Sequence, residues 1–132
     1  MANQSVKRTG DTISESAKLL QPGFSTADAK YPDIALSNGV LRVVFTDWRE
    51  KRIVVEFANV AGVRWQETES HGPEERNDSV YEIVGSDWLT ELLVRGAREH
   101  QEGHRHFKLC FNAYGPLEVL ATEMRLASAG TV

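Results

Sequence analysis

The residues best suited to metal binding or catalysis are histidines, and three of them lie in the segment from His100 to His106. On a strand, His104 and His106 project from one face with Cα atoms about 7 Å apart, so both could bind one metal ion. The predicted register of the surrounding hairpin places Thr122 and Met124 opposite them, and no carboxylate. We therefore predict surface histidines at a strand edge that form no complete metal site and bind no cofactor. Replacing both with Ala should change stability by no more than about 1 kcal/mol.

Other reaction chemistry is sparse in this sequence. The single cysteine, Cys110, shares a strand face with His106, but four strand residues, about 13 Å, separate them. Cys110 is therefore predicted to be a small, half-buried hydrophobic side chain and not a nucleophile. No glycine-rich phosphate loop, paired-carboxylate motif or Gly-x-Ser-x-Gly elbow occurs. The sequence predicts a protein that is not an enzyme.

The net charge of −4 lies in one polar segment, Gln66 to Ser79. The rest of the chain carries as many bases as acids, so the basic stripe of a nucleic-acid-binding protein is absent from the sequence. The segment is either a solvated connection or an electrostatic docking element for a basic protein partner, and both alternatives stay open. Its acidic residues are Glu67, Glu69, Glu74, Glu75 and Asp78.

The three tryptophans differ in their sequence context. Trp88 begins a predicted helix beside apolar residues and is expected in the core, whereas Trp65 ends a strand and is expected to cap the core edge. Trp48 lies in a turn between charged residues, where exposure is expected, and an exposed Trp commonly anchors a protein partner. Trp48, Trp65 and the five acids are the predicted partner-binding residues.

Two alternating hairpins must position these residues. In the first, residues 40–46 pair with 51–57 so that Arg42 lies opposite Glu56, and a one-residue slip would turn one apolar set outward. In the second, residues 104–111 pair with 117–124. The side chains predicted to form one core are Leu41, Val43, Phe45, Ile53, Val55, Phe57, Phe107, Leu109, Phe111, Leu117 and Val119. The second register sets Phe107 opposite Ala121 and Leu109 opposite Val119.

Helices complete the predicted fold. Ser86 and Asp87 begin the main helix, over about residues 86–97, which should cover the core face through Trp88, Leu92 and Leu93. A short N-terminal helix is expected where Thr12 and Glu15 fit a capping box, followed by apolar residues at helical spacing. Its apolar residues are Ile13, Ala17 and Leu20.

These elements predict a single α+β domain over residues 1–132. Its antiparallel sheet would have about five to six strands from successive hairpins, with residues 1–30 a loosely ordered N-terminal segment. No apolar run reaches the roughly 20 residues of a membrane helix, and no signal peptide is recognisable. With a single cysteine, these features favour the cytoplasm.

The string from Tyr81 to Leu89, followed by His106 to Leu109 and Leu117 to Ala121, resembles a pattern in small uncharacterised bacterial proteins. Some of these are similar to immunity proteins encoded beside secreted polymorphic toxins. The resemblance covers about the last 45 residues and the strand from Ile53 to Trp65. It implies a non-enzymatic cytoplasmic protein that neutralises a toxin by stoichiometric association, and it implies no catalytic residues.

Two functions therefore stay open. The first is the toxin-neutralising protein, with a basic toxin domain as its partner and neither nucleic acid nor membrane involved. The second is a small ligand- or metal-binding domain that uses the His104/His106 face of the last hairpin. Homo-oligomerisation is compatible with either function.

Overall fold

The computed structural model describes residues 15–66, 78–95 and 103–131, which form nine strands and one helix. The strands are β1 (Ser16–Leu19), β2 (Asp33–Ser37), β3 (Val40–Thr46), β4 (Lys51–Ala58), β5 (Gly62–Trp65), β6 (Val80–Val84), β7 (Arg105–Phe111), β8 (Gly115–Ala121) and β9 (Glu123–Thr131). The helix, α1 (Asp87–Arg95), lies between β6 and β7 in the chain.

The strands form two antiparallel sheets. The first has the order β9-β4-β3-β2 and the second the order β1-β6-β7-β8-β5. The antiparallel pairing and the coarse α+β class are confirmed, but the single sheet of five to six strands is wrong. Alternation identifies strands without identifying their partners. Met124 and Leu126 belong to β9, which leaves the closing hairpin and pairs with β4 in the other sheet.

The first hairpin has the predicted register. Arg42 lies opposite Glu56, and Phe45 lies opposite Ile53. Nε of Arg42 is 3.8 Å from Oε2 of Glu56, so the expected cross-strand ion pair forms on the outer face. The apolar pattern and the charge pair together were sufficient to define this ladder.

The closing hairpin is shifted by two residues from the predicted register. Phe107 lies opposite Val119, not Ala121, because β8 begins at Gly115, two residues earlier than predicted, and Gly115 pairs with Phe111. The turn therefore contains only residues 112–114. A shift of two residues preserves the faces of both strands, so the predicted core set survives the error.

The core lies between the two sheets and contains every side chain predicted for it. Rings from opposite sheets contact each other: Phe57 and Phe107 have centroids 5.7 Å apart, and Phe45 and Phe111 5.2 Å apart. The edge-on and tilted arrangements are those that aromatic pairs favour.

The helix α1 lies on the opposite face of the second sheet. Trp88 packs edge-on against the ring of His106, which alternates with the core residue Phe107 along β7. The prediction that α1 covers the core through Trp88, Leu92 and Leu93 is therefore wrong. Strands of the first sheet occupy that face, and α1 contributes no fully buried residue.

The N-terminal region also differs from the prediction. Residues 16–19 form the strand β1, which pairs with β6, where a helix was expected. Ala17 packs beside a cluster formed by Tyr81, Ile83 and Cys110. An unpaired edge of β6 offers this segment both backbone partners and an apolar contact, and these outweigh its helical spacing. Thr12 and Ile13 lie outside the described residues.

Candidate functional site

An open cleft of about 470 Å³ lies beside the turn between β3 and β4. Trp48 lines it with 58% of its surface exposed, and the Arg49 guanidinium carbon lies 5.7 Å from the centroid of the Trp48 ring. The remaining lining comes from residues 19–26 and 78–80. The cleft thus joins three segments that are distant in the sequence.

A buried carboxylate holds the Trp48 turn in place. Oδ1 of Asp47 accepts the backbone N–H groups of Arg49 and Lys51 at 2.9 Å, and Oδ2 accepts two N–H groups of the Arg49 guanidinium at 3.1 and 3.2 Å. Burial raises the pKa of Asp47, but these hydrogen bonds outweigh it and hold the pKa below its ordinary value of 3.8. The ionised carboxylate therefore stabilises the turn, which directs Trp48 outward.

The structure brings together only some of the predicted partner-binding residues. Trp48 and Asp78 line the same cleft. Trp65 lies elsewhere, with its ring 5.9 Å from that of Phe111 and 6.1 Å from that of Tyr31, and it packs against the core as its strand-end position suggested. The other acids named above, Glu67, Glu69, Glu74 and Glu75, lie outside the described residues.

A second polar feature lies on the outer face of the second sheet, where three buried side chains and the half-exposed Arg64 form a polar network. The Ser86 hydroxyl lies 2.7 Å from Nδ1 of His106, and Nε2 of His106 lies 2.7 Å from Oε1 of Glu118. The same oxygen accepts a hydrogen bond from Arg64 at 2.9 Å. Arg64 in turn stacks on Trp88, 4.1 Å from its ring centroid. The network therefore connects β5, β7 and β8 with the start of α1.

The charges of this network are balanced by direct contact. Burial raises the pKa of Glu118, but hydrogen bonds from His106 and Arg64 outweigh it and keep the pKa below its ordinary value of 4.5. Glu118 is thus ionised at neutral pH. Because an ionised carboxylate can only accept, Nε2 of His106 donates the hydrogen bond to Glu118.

Serine, histidine and a carboxylate hydrogen-bonded in a row are the residue types of a hydrolytic triad. Ser86, however, is only 4% exposed, and its oxygen already accepts the Leu89 N–H as the N-cap of α1. Neither the cleft beside Trp48 nor the smaller cavity of about 170 Å³ near Arg105 includes a member of the network. Its geometry therefore supports a structural role, which is to fasten α1 to the sheet.

The predictions for the two histidines need correction. His106 is 2% exposed and both its ring nitrogens are hydrogen-bonded, while His104 is also buried and donates from Nε2 to the Asn59 carbonyl oxygen at 2.7 Å. They are therefore not surface residues. The prediction that no carboxylate faces these histidines is also wrong. The two-residue shift places Glu118 opposite Lys108 and diagonally beside His106. Among the described residues, no group of three histidine, cysteine or acidic side chains could hold a metal ion.

One sequence signal could have revealed the network. Glu118 lies within an otherwise apolar strand, so burying that strand on both faces required polar partners for its carboxylate. The sequence indicates that Ser86 caps α1, but it does not indicate the hydrogen bond between the same hydroxyl and His106. Cys110 is buried beside Tyr81, more completely than predicted.

No family model, curated protein or solved structure matches this chain. In the part of the chain that the structure describes, none of the helices has the length and apolar character needed to cross a membrane.

Proposed function

We propose that this protein is a non-enzymatic cytoplasmic immunity protein that neutralises a toxin domain by stoichiometric association through the cleft beside Trp48. The observation that carries the proposal is the exposed Trp48 side chain, which lines an open cleft and lies in a turn that the hydrogen bonds of Asp47 hold in place. The last third of the chain resembles small bacterial proteins, some of which are similar to immunity proteins, and this resemblance supports the class of partner.

The composition of the cleft suits a protein surface. Interfaces typically combine an apolar centre with a polar rim, and Trp is among the residues most enriched at their energetic centres. Apolar side chains in this lining are Leu19, Leu20, Pro22, Phe24, Trp48 and Val80, and polar ones are Gln21, Ser25, Thr26, Arg49, Asp78 and Ser79.

The charge of the segment that ends at the cleft favours a basic partner. Arg49 is neutralised by its bidentate contact with Asp47. Asp78 belongs to the segment from Gln66 to Ser79, which carries the whole net charge of −4. Charges of one sign near a docking surface accelerate the encounter with an oppositely charged partner, and salt weakens this effect.

The test requires the partner, which the reading frame adjacent to this gene should supply. Co-expression should protect the host from that toxin and yield a one-to-one complex. Trp48→Ala should weaken the complex about 30-fold or more, mainly through faster dissociation, as expected for a binding-energy centre of about 2 kcal/mol. Val94→Ala, which alters an exposed residue on α1 outside the cleft lining, should leave affinity unchanged.

Two results would contradict the proposal. One is a complex whose dissociation rate is the same for Trp48→Ala as for the unaltered protein. The other is hydrolysis of the toxin or of its substrate by this protein at sub-stoichiometric amounts.

Reversing the charges of Glu67, Glu69, Glu74, Glu75 and Asp78 should slow association and reduce its salt dependence, with dissociation less affected.

Zinc titration distinguishes the ligand- or metal-binding alternative from the proposed protein-binding function. A metal-binding protein gains melting temperature in excess zinc, whereas a protein-binding one does not. Both nitrogens of His106 are engaged by Ser86 and Glu118, so we expect no zinc-dependent shift. A rise that His106→Ala abolishes would favour the alternative.

A further inference from the structure

The four strands at the sheet edges are protected to different degrees. Exposed edges invite pairing with another chain, and bulges, charges or proline usually prevent it. The edge strand β9 has a register break after Leu126, β1 carries Lys18, and β5 carries Arg64. In β2 the pairing is regular and the only charge is Asp33 at its first position.

The unprotected strand β2 also exposes aliphatic side chains. Ile34 and Leu36 lie opposite Val43 and Leu41, so they are on the core-facing side of the first sheet. They are nevertheless 37% and 57% exposed, whereas Val43 and Leu41 are buried. The inner face of β2 therefore extends beyond the cover that the rest of the core provides.

The turn after β2 determines which backbone groups face the open edge. Asn38 and Gly39 have φ angles of +53° and +78°, and Ser37 pairs with Val40 across this two-residue turn. These are the features of a type I′ hairpin, whose closing pair exchanges both backbone hydrogen bonds. Alternation along the strand then directs the N–H and C=O groups of Ile34 and Leu36 away from β3, toward the edge with which no described strand pairs.

We propose that β2 is a dimerisation edge, at which a second copy of this chain pairs its own β2 in the antiparallel direction. A two-fold axis at Ala35 places Ile34 opposite Leu36 of the second copy, and Leu36 opposite its Ile34. Both pairs consist of residues with outward backbone groups, so this register forms four intermolecular hydrogen bonds. It also joins the four aliphatic side chains in one strip on the inner face.

The charges permit this pairing. Asp33 lies opposite the uncharged Ser37 of the other copy, and the two Asp33 side chains are at opposite ends of the paired segment, about 13 Å apart along the strands. A two-fold interface must be self-complementary. The pattern of β2 satisfies this requirement in its hydrogen bonds, its apolar side chains and its charges.

Charge-swapped variants provide the decisive test. The unaltered protein, examined by sedimentation equilibrium from about 10 µM to about 1 mM because a small interface binds weakly, should approach twice the chain mass of 14.8 kDa. The double variants Ile34→Lys/Leu36→Lys and Ile34→Glu/Leu36→Glu should each lose self-association by at least about tenfold, since like charges then face each other. An equimolar mixture of the two variants should dimerise again.

Val63→Lys is the matched control. It introduces the same charge at another partly exposed aliphatic residue of an edge strand, β5, and should leave self-association unchanged. A protein that stays monomeric over this concentration range would overturn the proposal. So would self-association that persists in both double variants, or a mixture that remains monomeric. A hetero-partner that binds β2 while the isolated protein stays monomeric would assign the edge to that partner instead. Trp48→Ala should dimerise normally, so failure here is distinguishable from failure of the proposed toxin binding.

Discussion

At the scale of single residues, the described part of this protein is organised by buried polar side chains that form hydrogen bonds. Asp47 and Glu118 are both buried carboxylates with lowered pKa values, and each is satisfied by an arginine and further donors. A buried polar group costs free energy unless it is paired, so each carboxylate requires its surrounding geometry. At Asp47 this geometry exposes a Trp, and at Glu118 it secures a helix.

The lowered pKa of Glu118 predicts a loss of stability in acid. A carboxyl whose pKa is lower in the folded than in the unfolded chain stabilises the fold above its ordinary value, here 4.5, and this contribution disappears as the pH falls through the folded value. We expect Glu118→Gln to make the fall in unfolding free energy below about pH 4.5 shallower. Urea unfolding at several pH values measures this. Glu123→Gln, at an exposed acid, should leave the profile unchanged, and a Glu118→Gln profile parallel to the original would contradict the prediction.

Removing the central imidazole should be costly. His106→Ala removes one of the two partners of the Ser86 hydroxyl and one of the two donors to Glu118, so we expect a loss of about 3 kcal/mol in unfolding free energy. Ser86→Ala should cost about 1–2 kcal/mol through the helix cap and the same bond. Because the two residues share that bond, the double variant should lose less than both single losses together. Strict additivity in urea titrations would show that they are not coupled.

At the scale of elements, the position of α1 depends on a close approach between a helix residue and a strand. Gly62 in β5 lies beneath the indole of Trp88, and a Cβ added there would be 2.8 Å from Cζ2 of the ring. Arg64, two residues further along the same strand, stacks on that indole. The strand β5 therefore supplies both the space and the cation that orient the first turn of α1.

Gly62→Ala should displace α1. Overpacking of a well-fitted contact typically costs about 1–3 kcal/mol, and the displacement should change the near-ultraviolet circular dichroism of Trp88. Gly130→Ala is the matched control, since its added Cβ meets nothing within 4 Å in β9. If both variants have the same melting temperature and spectrum, the close approach has no energetic role.

For the whole molecule, stability depends on contact between the two sheets. Phe107 in the second sheet packs on Phe57 in the first, and both are almost completely buried. The strand β9 adds a covalent link, because the chain passes from β8 in one sheet to β9 in the other through Thr122. The two sheets therefore cannot separate from each other without exposing the core that they share.

Phe107→Ala should reduce the unfolding free energy by about 3–5 kcal/mol, the usual cost of removing a buried Phe. Far-ultraviolet circular dichroism and tryptophan fluorescence should still report one coincident transition, because both sheets depend on the same core. Leu19→Ala, at an exposed position of β1, should cost far less. Two separate transitions would indicate that the sheets unfold independently.

The sequence by itself determined the local features of this protein. Alternation and a charge pair defined the ladder between β3 and β4, and the same pattern identified the core side chains, since the two-residue shift in the last hairpin leaves faces unchanged. The exposure of Trp48 was also predictable, because a Trp between charged turn residues has no apolar neighbour in sequence to cover it.

Only the tertiary structure decided which faces and segments meet. The departure of β9 to the first sheet, the position of α1 on the outer face and the strand β1 all depend on partners distant in the sequence. The same holds for the contact of Glu118 with His106 and for the cleft shared by Trp48 and Asp78. Periodicity reports how a segment divides its own two faces, but the identity of the surface that covers each face is a property of the whole packed molecule.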